Sequence, residues 1–229
     1  MKSKILTIAI AALLIASCGT IQNTSGQTKG TAIGAAGGAI LGAIIGNNVG
    51  DGDNQTEGVI AGAVIGGIAG NIIGRRMDKQ AEEMRANLPG ANVERVGEGI
   101  VVTFDEGSGV KFATAQFTLN ESSKMTLNKL TDVMLQYPGE EVIVAGHTDS
   151  QGDEASNLEL SRKRASSVRD YLIARNIASS RIAMTYSGES QPKATNDTAA
   201  GRAQNRRVEI GIVASEEMRK QAEMEANKQ

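Results

Sequence analysis

Residues 142–152 read VIVAGHTDSQG, and with the helical pattern that follows over residues 154–175 they decide the fold. The continuous apolar run 142–145 predicts a central strand that is covered on both faces. Asp149 lies just after this strand, and Arg164 lies within the helix. The strand and the helix should therefore present one carboxylate and one guanidinium to a common cleft.

Such a pair is the receptor that a zwitterionic amino acid head group requires. The ammonium would lie on Asp149 and the carboxylate on Arg164, whose planar guanidinium can donate two parallel hydrogen bonds. The same pair could be a structural salt bridge, because surface ion pairs are common and weak. Polar Thr148 and Asn157 beside the pair favour a ligand site.

The C-terminal half of the chain alternates strands and helices. Pro138-Gly139 ends the first helix, and either Asn120 or Ser122 could cap its start. Because the helices fall on one side of the predicted sheet, the pattern indicates an α+β fold. The predicted strands are 100–104, 142–145, 182–186 and 207–213, and the predicted helices are 125–137 and 154–175.

His147 is the single histidine of the chain and lies two residues before Asp149. A zinc site needs several His or Cys ligands, and the single cysteine, Cys18, lies far away in the sequence. We therefore expect no metal, no cofactor and no catalytic residue, and we expect His147 to pack or to form a hydrogen bond at the end of the strand.

Composition excludes other classes of function. The net charge of −2 and the pI near 5.6 argue against a nucleic-acid-binding protein. Aromatic residues make up 3% of the chain and tryptophan is absent, which argues against a surface on which bases or sugars stack.

The N-terminus has the pattern of an export signal. Lys2 and Lys4 precede an apolar segment, 5–15, that is too short to span a bilayer. The segment ends in the sequence IASC at residues 15–18, which resembles a bacterial lipobox. The resemblance implies that Cys18 is lipidated and becomes the mature N-terminus, and that Gly19 after it directs the protein to the outer membrane.

Glycine recurs at every fourth position through the segment that follows. Four-residue steps place these glycines in one stripe on a helix, where a second backbone can approach closely. Residues 30–50 would span roughly 31 Å as a helix and residues 58–74 roughly 25 Å, against a bilayer core of about 30 Å. The glycines are at positions 30, 34, 38, 42, 46 and 50, and again at 58, 62, 66, 70 and 74.

The ladder therefore predicts a membrane hairpin over residues 30–76, with Arg75 and Arg76 at the exit to water. In water, each glycine would cost about 1 kcal/mol of helix stability, which disfavours the same helices outside lipid. The alternative is a flexible glycine-rich tether. Such a tether would not require the strict spacing.

The spacing around the cleft resembles the OmpA-like peptidoglycan-binding domain, whose signature is T-D-x-x-G, then N, then L-S-x-x-R-A. Thr148, Asp149, Gly152, Asn157 and Arg164 fill it in order. The resemblance covers about residues 98–214 and implies a mixed β-sheet with helices on one face. It also implies that the Asp and the Arg hold the diaminopimelate of a peptidoglycan stem peptide.

Two further details bear on this resemblance. The sequence NRRVEI at residues 205–210 is similar to the last-strand motif of the family, and Arg206 could add positive potential near the cleft or be purely structural. Many members carry an acidic residue after the phenylalanine that corresponds to Phe112. Ala113 stands there in this chain, so the resemblance does not extend to an acidic side chain in that loop.

The whole chain resembles YiaD-like outer-membrane lipoproteins, in which a glycine zipper precedes an OmpA-like domain. The resemblance implies a non-enzymatic tether that is anchored by lipid in the outer membrane and holds the cell wall with its periplasmic C-terminal domain. The expected segments are a signal peptide (1–17), a lipidated linker (18–29), the hairpin (30–76), an exposed linker helix (77–97), the OmpA-like domain (98–214) and a charged, frayed tail (215–229).

Two other functions compete with a tether. A homo-oligomeric assembly could form through the glycine zipper, with wall binding secondary. A cell-wall-modifying enzyme would require a zinc triad, a Cys-His pair or two opposed carboxylates. The sequence offers neither of the first two.

Overall fold

The computed structural model describes residues 67–113 and 115–228. These residues form one mixed sheet with helices packed against it. The helices are α1 (Gly67–Asn87), α2 (Glu121–Met134), α3 (Glu154–Ala174), α4 (Ala199–Asn205) and α5 (Glu216–Ala226), with a 3-10 turn at Ser179–Arg181. The strands are β1 (Asn92–Val96), β2 (Gly99–Phe104), β3 (Glu140–Gly146), β4 (Ile182–Tyr186) and β5 (Val208–Ala214).

The sheet has the strand order β1-β2-β5-β3-β4. β3 and β4 pair in parallel through the crossover helix α3, and the other neighbours are antiparallel. β5 is the last strand in the chain, yet it lies in the middle of the sheet between β2 and β3. This order brings the residues just before β5 next to those just after β3.

Alternation along the strands divides the apolar residues between the two faces. Ile100, Val144 and Ile210 share one core with buried side chains of α1, α2, α3 and α5. Ile143 and Val213 belong to a smaller cluster made of strand residues. The helices thus lie on one face of a mixed sheet, as expected, and the prediction that both faces of β3 are covered is confirmed.

The helix boundaries follow from side-chain caps. The Asn120 side chain accepts a hydrogen bond from the Ser123 amide and starts α2, as one of the two predicted caps would. Asp153 starts α3 in the same way through the Ser156 amide. The four predicted strands are present, with bounds that differ from the prediction by at most two residues.

The segment expected to be an exposed linker is instead part of the packed domain. α1 begins at Gly67 and buries Ile73, Met77 and Met84 completely in the helix-side core. β1 was not predicted, because its polar sequence NVERV at an edge position gives a weak alternating pattern. The charged residues of α1 occupy its outer side, and their spacing alone suggested that the helix was exposed.

The C-terminal tail is also partly packed. α5 is capped by Ser215, and its Met218 and Ala222 are buried in the same core as α1. The expectation of a frayed, solvent-exposed helix was therefore right about the helix and wrong about one of its faces. α1 and α5, from opposite ends of the described chain, lie against each other.

Most of the predicted membrane hairpin, over residues 30–66, lies outside the described residues. The described part of its second span, residues 67–74, belongs to α1, where Ala69 and Ile73 pack in the domain core. Among residues 67–113 and 115–228, no helix combines the length and the apolar character needed to cross a bilayer.

Two glycines allow α3 to approach the ends of β3 and β4. A Cβ on Gly146 would lie 2.2 Å from the Ser161 carbonyl oxygen, so only glycine fits at this contact. Gly188 has a φ of +55°, and a Cβ there would come within 2.9 Å of the Leu158 amide nitrogen. Since Asp149 lies three residues beyond Gly146 and Arg164 three beyond Ser161, these contacts set the geometry of the cleft.

Candidate functional site

A cleft of about 870 Å³ opens between the start of α3, the loop after β3, the loop before α2 and the segment 202–206. Asp149 and Arg164 both line it, so the structure brings the two predicted residues together. Thr148, Asn157 and Arg206, the other predicted residues, line the same cleft.

Arg164 is a buried guanidinium without a carboxylate partner in the described part of the chain. Its residue is 3% exposed, and its Nε donates to the Gln116 carbonyl at 3.1 Å. The guanidinium carbon lies 5.2 Å from the centre of the Phe112 ring. Burial lowers the pKa of Arg164 to about 10; the charge of Asp149 opposes this shift, while that of Arg206 adds to it.

Asp149 is held by Arg206 rather than by Arg164. Its Oδ2 accepts a hydrogen bond from Arg206, and its Oδ1 accepts one from the Gln151 amide at 3.1 Å. The same guanidinium also pairs with Glu106, 100 residues away in the chain. Burial lowers the pKa of Arg206, but the hydrogen bonds that Arg206 donates to Glu106 and Asp149 outweigh this effect and raise the pKa above its ordinary value.

Thr148 and Asn157 take different roles in the wall of the cleft. The Thr148 amide donates to the Gly188 carbonyl at 2.8 Å, while its buried hydroxyl has no hydrogen-bond partner among the described residues. The Asn157 side chain donates to the Gln151 carbonyl at 3.1 Å and to Glu189. Asn157 therefore fixes the loop that carries Asp149, whereas the Thr148 hydroxyl is buried in the cleft wall.

His147 lies beneath the cleft and does not line it. It is fully buried, and its amide donates to the Arg207 carbonyl at 3.0 Å, which joins the ends of β3 and β5. Burial and the nearby charges of Arg207 and Lys193 lower the pKa of His147 well below its ordinary value. The residue thus packs at the strand end, as expected, with its backbone rather than its ring hydrogen-bonded within the described chain.

The structure adds residues that the motif did not indicate. Gln116 and Phe112 hold Arg164, and Glu106 holds Arg206. The loop before α2 thus reaches the site through a backbone carbonyl and a ring, although Ala113 replaces the acidic residue common in the family. No short-range pattern marks Gln116, because a carbonyl can come from any residue type.

Asn205 is a further residue that shapes the site. Its completely buried side chain accepts from the amides of Lys193 and Ala194 and donates to the Ala194 carbonyl and to Asn196. Because Asn205 directly precedes Arg206, these bonds hold the loop before α4 next to Arg206. Its place in the NRRVEI motif was the available signal.

Two further expectations concern metals and lipid. Within the described ranges, no group of three or more His, Cys, Asp and Glu side chains is arranged to hold a metal ion. Cys18, the predicted lipidation site, lies outside the described residues.

Comparison with protein families gives two matches. Residues 111–206 match the model of the OmpA family, and residues 1–78 match that of the YMGG-like Gly-zipper. The first match contains all the residues that line the cleft, from Ala115 to Arg206. The second contains the glycine ladder and the proposed lipobox.

Curated relatives point the same way. The chain is 37% identical over 136 residues to the probable lipoprotein YiaD of Escherichia coli, covering 59% of this chain and 62% of that protein. It is 46% identical over 105 residues to outer membrane porin F of Pseudomonas fluorescens and 39% identical over 106 residues to the peptidoglycan-binding protein ArfA of Mycobacterium tuberculosis. These two matches cover 46% of this chain and 32% of each relative.

Solved structures show the same fold. The cell wall anchor of the T6SS from Pseudomonas aeruginosa superposes with a TM-score of 0.52 at 30% identity, covering 61% of this chain and 98% of that one. A putative MotB-like protein from Desulfovibrio vulgaris superposes with a TM-score of 0.57 at 22% identity, covering 63% and 95%.

Proposed function

We propose, from the premise that residues 111–206 form a domain of the OmpA family, that the cleft binds the diaminopimelate head group of a peptidoglycan stem peptide. Arg164 would take the carboxylate and Asp149 the ammonium. The relatives support this choice of ligand, since one of them is a peptidoglycan-binding protein and a similar structure is a cell wall anchor.

The unpaired, buried guanidinium of Arg164 is the observation that carries the proposal. A buried charge is costly unless it is paired, and here only Nε has a hydrogen-bond partner in the described chain. The two terminal nitrogens remain for a ligand, and they can bind a carboxylate bidentately. Binding would supply the counter-charge that the folded domain lacks.

Asp149 is suited to the ammonium because its orientation is already fixed. Arg206 and the Gln151 amide each occupy part of its hydrogen-bonding capacity. A carboxylate has about four acceptor sites, so positions remain for a ligand ammonium. Arg206 acts here as a positioning residue. Its salt bridge with Asp149 would thereby contribute to binding.

At the level of the whole chain, we propose a non-enzymatic tether between the outer membrane and the cell wall. A lipid on Cys18 would anchor the protein, and the OmpA domain would hold peptidoglycan in the periplasm. Support comes from the relatives, which include a probable lipoprotein and an outer membrane porin. An oligomer formed by the glycine zipper remains a prediction, favoured by the family match over residues 1–78.

Co-sedimentation of the purified full-length chain with peptidoglycan tests the binding site. Asp149→Ala should lower the affinity at least tenfold, because a charge-assisted hydrogen bond contributes about 1.5–3 kcal/mol. Asp170→Ala is the matched control, since this exposed carboxylate of α3 does not line the cleft. Free diaminopimelate should compete with the wild-type protein. Equal sedimentation of both variants would refute the assignment of Asp149.

A further inference from the structure

The cleft is larger and more positive than one amino acid head group requires. Its lining includes the cations Lys163, Arg164, Arg202 and Arg206, against the anions Asp149 and Glu159. Its volume of about 870 Å³ is in the range of pockets that bury drug-sized ligands.

Among the described residues, pairing leaves Arg164 and Arg202 without a carboxylate in ion-pair range, and Lys163 has only a long contact with Glu159. Arg206 is neutralised by Glu106 and Asp149. Arg202 bonds to the backbone carbonyls of Asn196 and Asp197 at 2.8 and 3.3 Å, and these carbonyls carry no net charge. Arg164 would hold the head-group carboxylate. Lys163 is the remaining cation of the cleft whose partner has to be identified.

Glu159 does not neutralise Lys163 effectively. Arg162 holds both carboxylate oxygens of Glu159, at 2.7 and 2.6 Å, whereas the Lys163 Nζ lies 3.7 Å away. This distance is beyond a hydrogen bond. Arg162 itself does not line the cleft, although it precedes Lys163 in the chain.

An aromatic ring holds the Lys163 ammonium on the wall of the cleft. The Nζ lies 5.4 Å from the centre of the Phe117 ring, within the range of a cation–π interaction. Phe117 lines the cleft and is 40% exposed, which is high for a large apolar side chain. Lys163 is therefore presented to the cleft with most of its hydrogen-bonding capacity free.

We propose that Lys163 is a specificity-determining residue that binds a second carboxylate of the ligand. The cleft would then recognise an acidic peptide, in which one carboxylate belongs to the head group on Arg164 and another to the neighbouring residue of the stem. This inference rests on the proposed function and names a more specific ligand class for the same site. Arg202 contributes positive potential to the same end.

Calorimetric titration of the purified full-length chain can test this with three ligands. They are free diaminopimelate, a γ-glutamyl-diaminopimelate dipeptide, and the same dipeptide with the α-carboxylate of its glutamyl residue amidated. The wild-type protein should bind the acidic dipeptide about two- to fivefold more tightly than the amidated one, the range expected of a partly exposed ion pair. Lys163→Gln should remove this preference and leave the affinity for free diaminopimelate unchanged.

Two matched variants separate a specific contact from general charge. Arg169→Gln removes a cation of the same helix that does not line the cleft, and it should keep the preference for the acidic dipeptide. Lys163→Arg keeps the charge in place and should keep it too. The proposal is overturned if Lys163→Gln still prefers the acidic dipeptide, or if it weakens all three ligands equally. Failure of the wild-type protein to bind any of the three would instead refute the proposed function itself.

Discussion

At the residue scale, the site separates the role of each charge by burial. Arg164 is buried with its terminal nitrogens unpaired, whereas Asp149 is held in place by Arg206. The pair therefore consists of a cation without a counter-ion among the described residues and an anion whose orientation is already fixed. Because the guanidinium is largely buried, a carboxylate bound there as proposed would not have to displace a full hydration shell from it.

Arg164→Lys should weaken peptidoglycan binding at least tenfold although it keeps the charge. An ammonium cannot donate the two parallel hydrogen bonds of a guanidinium, and it would lose the contact with the Gln116 carbonyl. Co-sedimentation with peptidoglycan measures the effect. Arg162→Lys, at a half-buried position outside the cleft, is the control. Equal binding by Lys and Arg at position 164 would show that recognition is diffuse rather than bidentate.

At the element scale, the contact between β3 and α3 sets the distance across the cleft. Gly146 lies directly under the Ser161 carbonyl, and the Ser161 hydroxyl accepts from the Gly188 amide at 2.9 Å. Three segments therefore meet at backbone distance just below Asp149 and Arg164. A side chain at this point would move the helix away from the strand.

Gly146→Ala should reduce both stability and binding. The added Cβ would lie 2.2 Å from a backbone oxygen, so the helix has to shift. Overpacking of this kind typically costs about 1–3 kcal/mol. Urea unfolding measures the stability and co-sedimentation the binding. Gly74→Ala, where a Cβ meets no neighbour, is the control. A Gly146 variant with wild-type values in both measurements would contradict this account of the contact.

A second link between elements is a buried carboxyl. Glu140 at the start of β3 is 1% exposed and accepts a hydrogen bond from Gln80 of α1 at 2.8 Å. Burial raises the pKa of Glu140 to about 7, although the bond from Gln80 and the charge of Arg181 oppose the shift. The folded protein thus holds a proton that the unfolded chain releases near its ordinary pKa of 4.5.

The contribution of protonated Glu140 to the free energy of unfolding should therefore be complete below about pH 4.5. It should be lost as the pH rises towards 7. Glu140→Gln should remove this component and raise the free energy of unfolding at pH 8 by roughly 2–4 kcal/mol relative to wild type. Urea unfolding at pH 5 and pH 8 measures it. Glu216→Gln, on the exposed side of α5, is the control. If the free energy of unfolding of the Glu140→Gln variant changed between pH 5 and pH 8 as much as that of the wild type, this account of Glu140 would be refuted.

At the scale of the whole molecule, the domain includes both ends of the described chain. α1 and α5 pack against each other and add Ile73, Met77, Met84 and Met218 to the core. The residues that match the OmpA family, 111–206, therefore do not contain the whole core. Neither does the range 98–214 suggested by the resemblance.

A fragment of residues 98–214 should be much less stable than one of residues 67–229. Each large apolar side chain contributes roughly 1.5–3 kcal/mol when buried, so the loss of α1 alone removes an amount comparable to the stability of a domain. Circular dichroism during thermal unfolding compares the two fragments. The shorter fragment should show a broad transition or none. Equal midpoints would mean that α1 and α5 are dispensable.

The sequence by itself determined the elements around the cleft and the two charges that face it. The apolar run before Asp149 and the helical spacing up to Arg164 are local patterns, and local patterns fix which face of a strand or helix a residue occupies. The packed position of His147 at the strand end followed from similar reasoning, and Asn120 was one of the two caps that the sequence offered.

Only the tertiary structure decided which groups pair and which segments are buried. Arg206 reaches Asp149 because β5 lies beside β3, a consequence of sheet order that no local pattern contains. Gln116 reaches Arg164 through a carbonyl, which every residue type possesses. The charged surface of α1 predicted exposure, but its other face is buried by α5, more than 120 residues later in the chain. Burial depends on such long-range contacts, and a local pattern records only the segment that offers a surface, not the one that covers it.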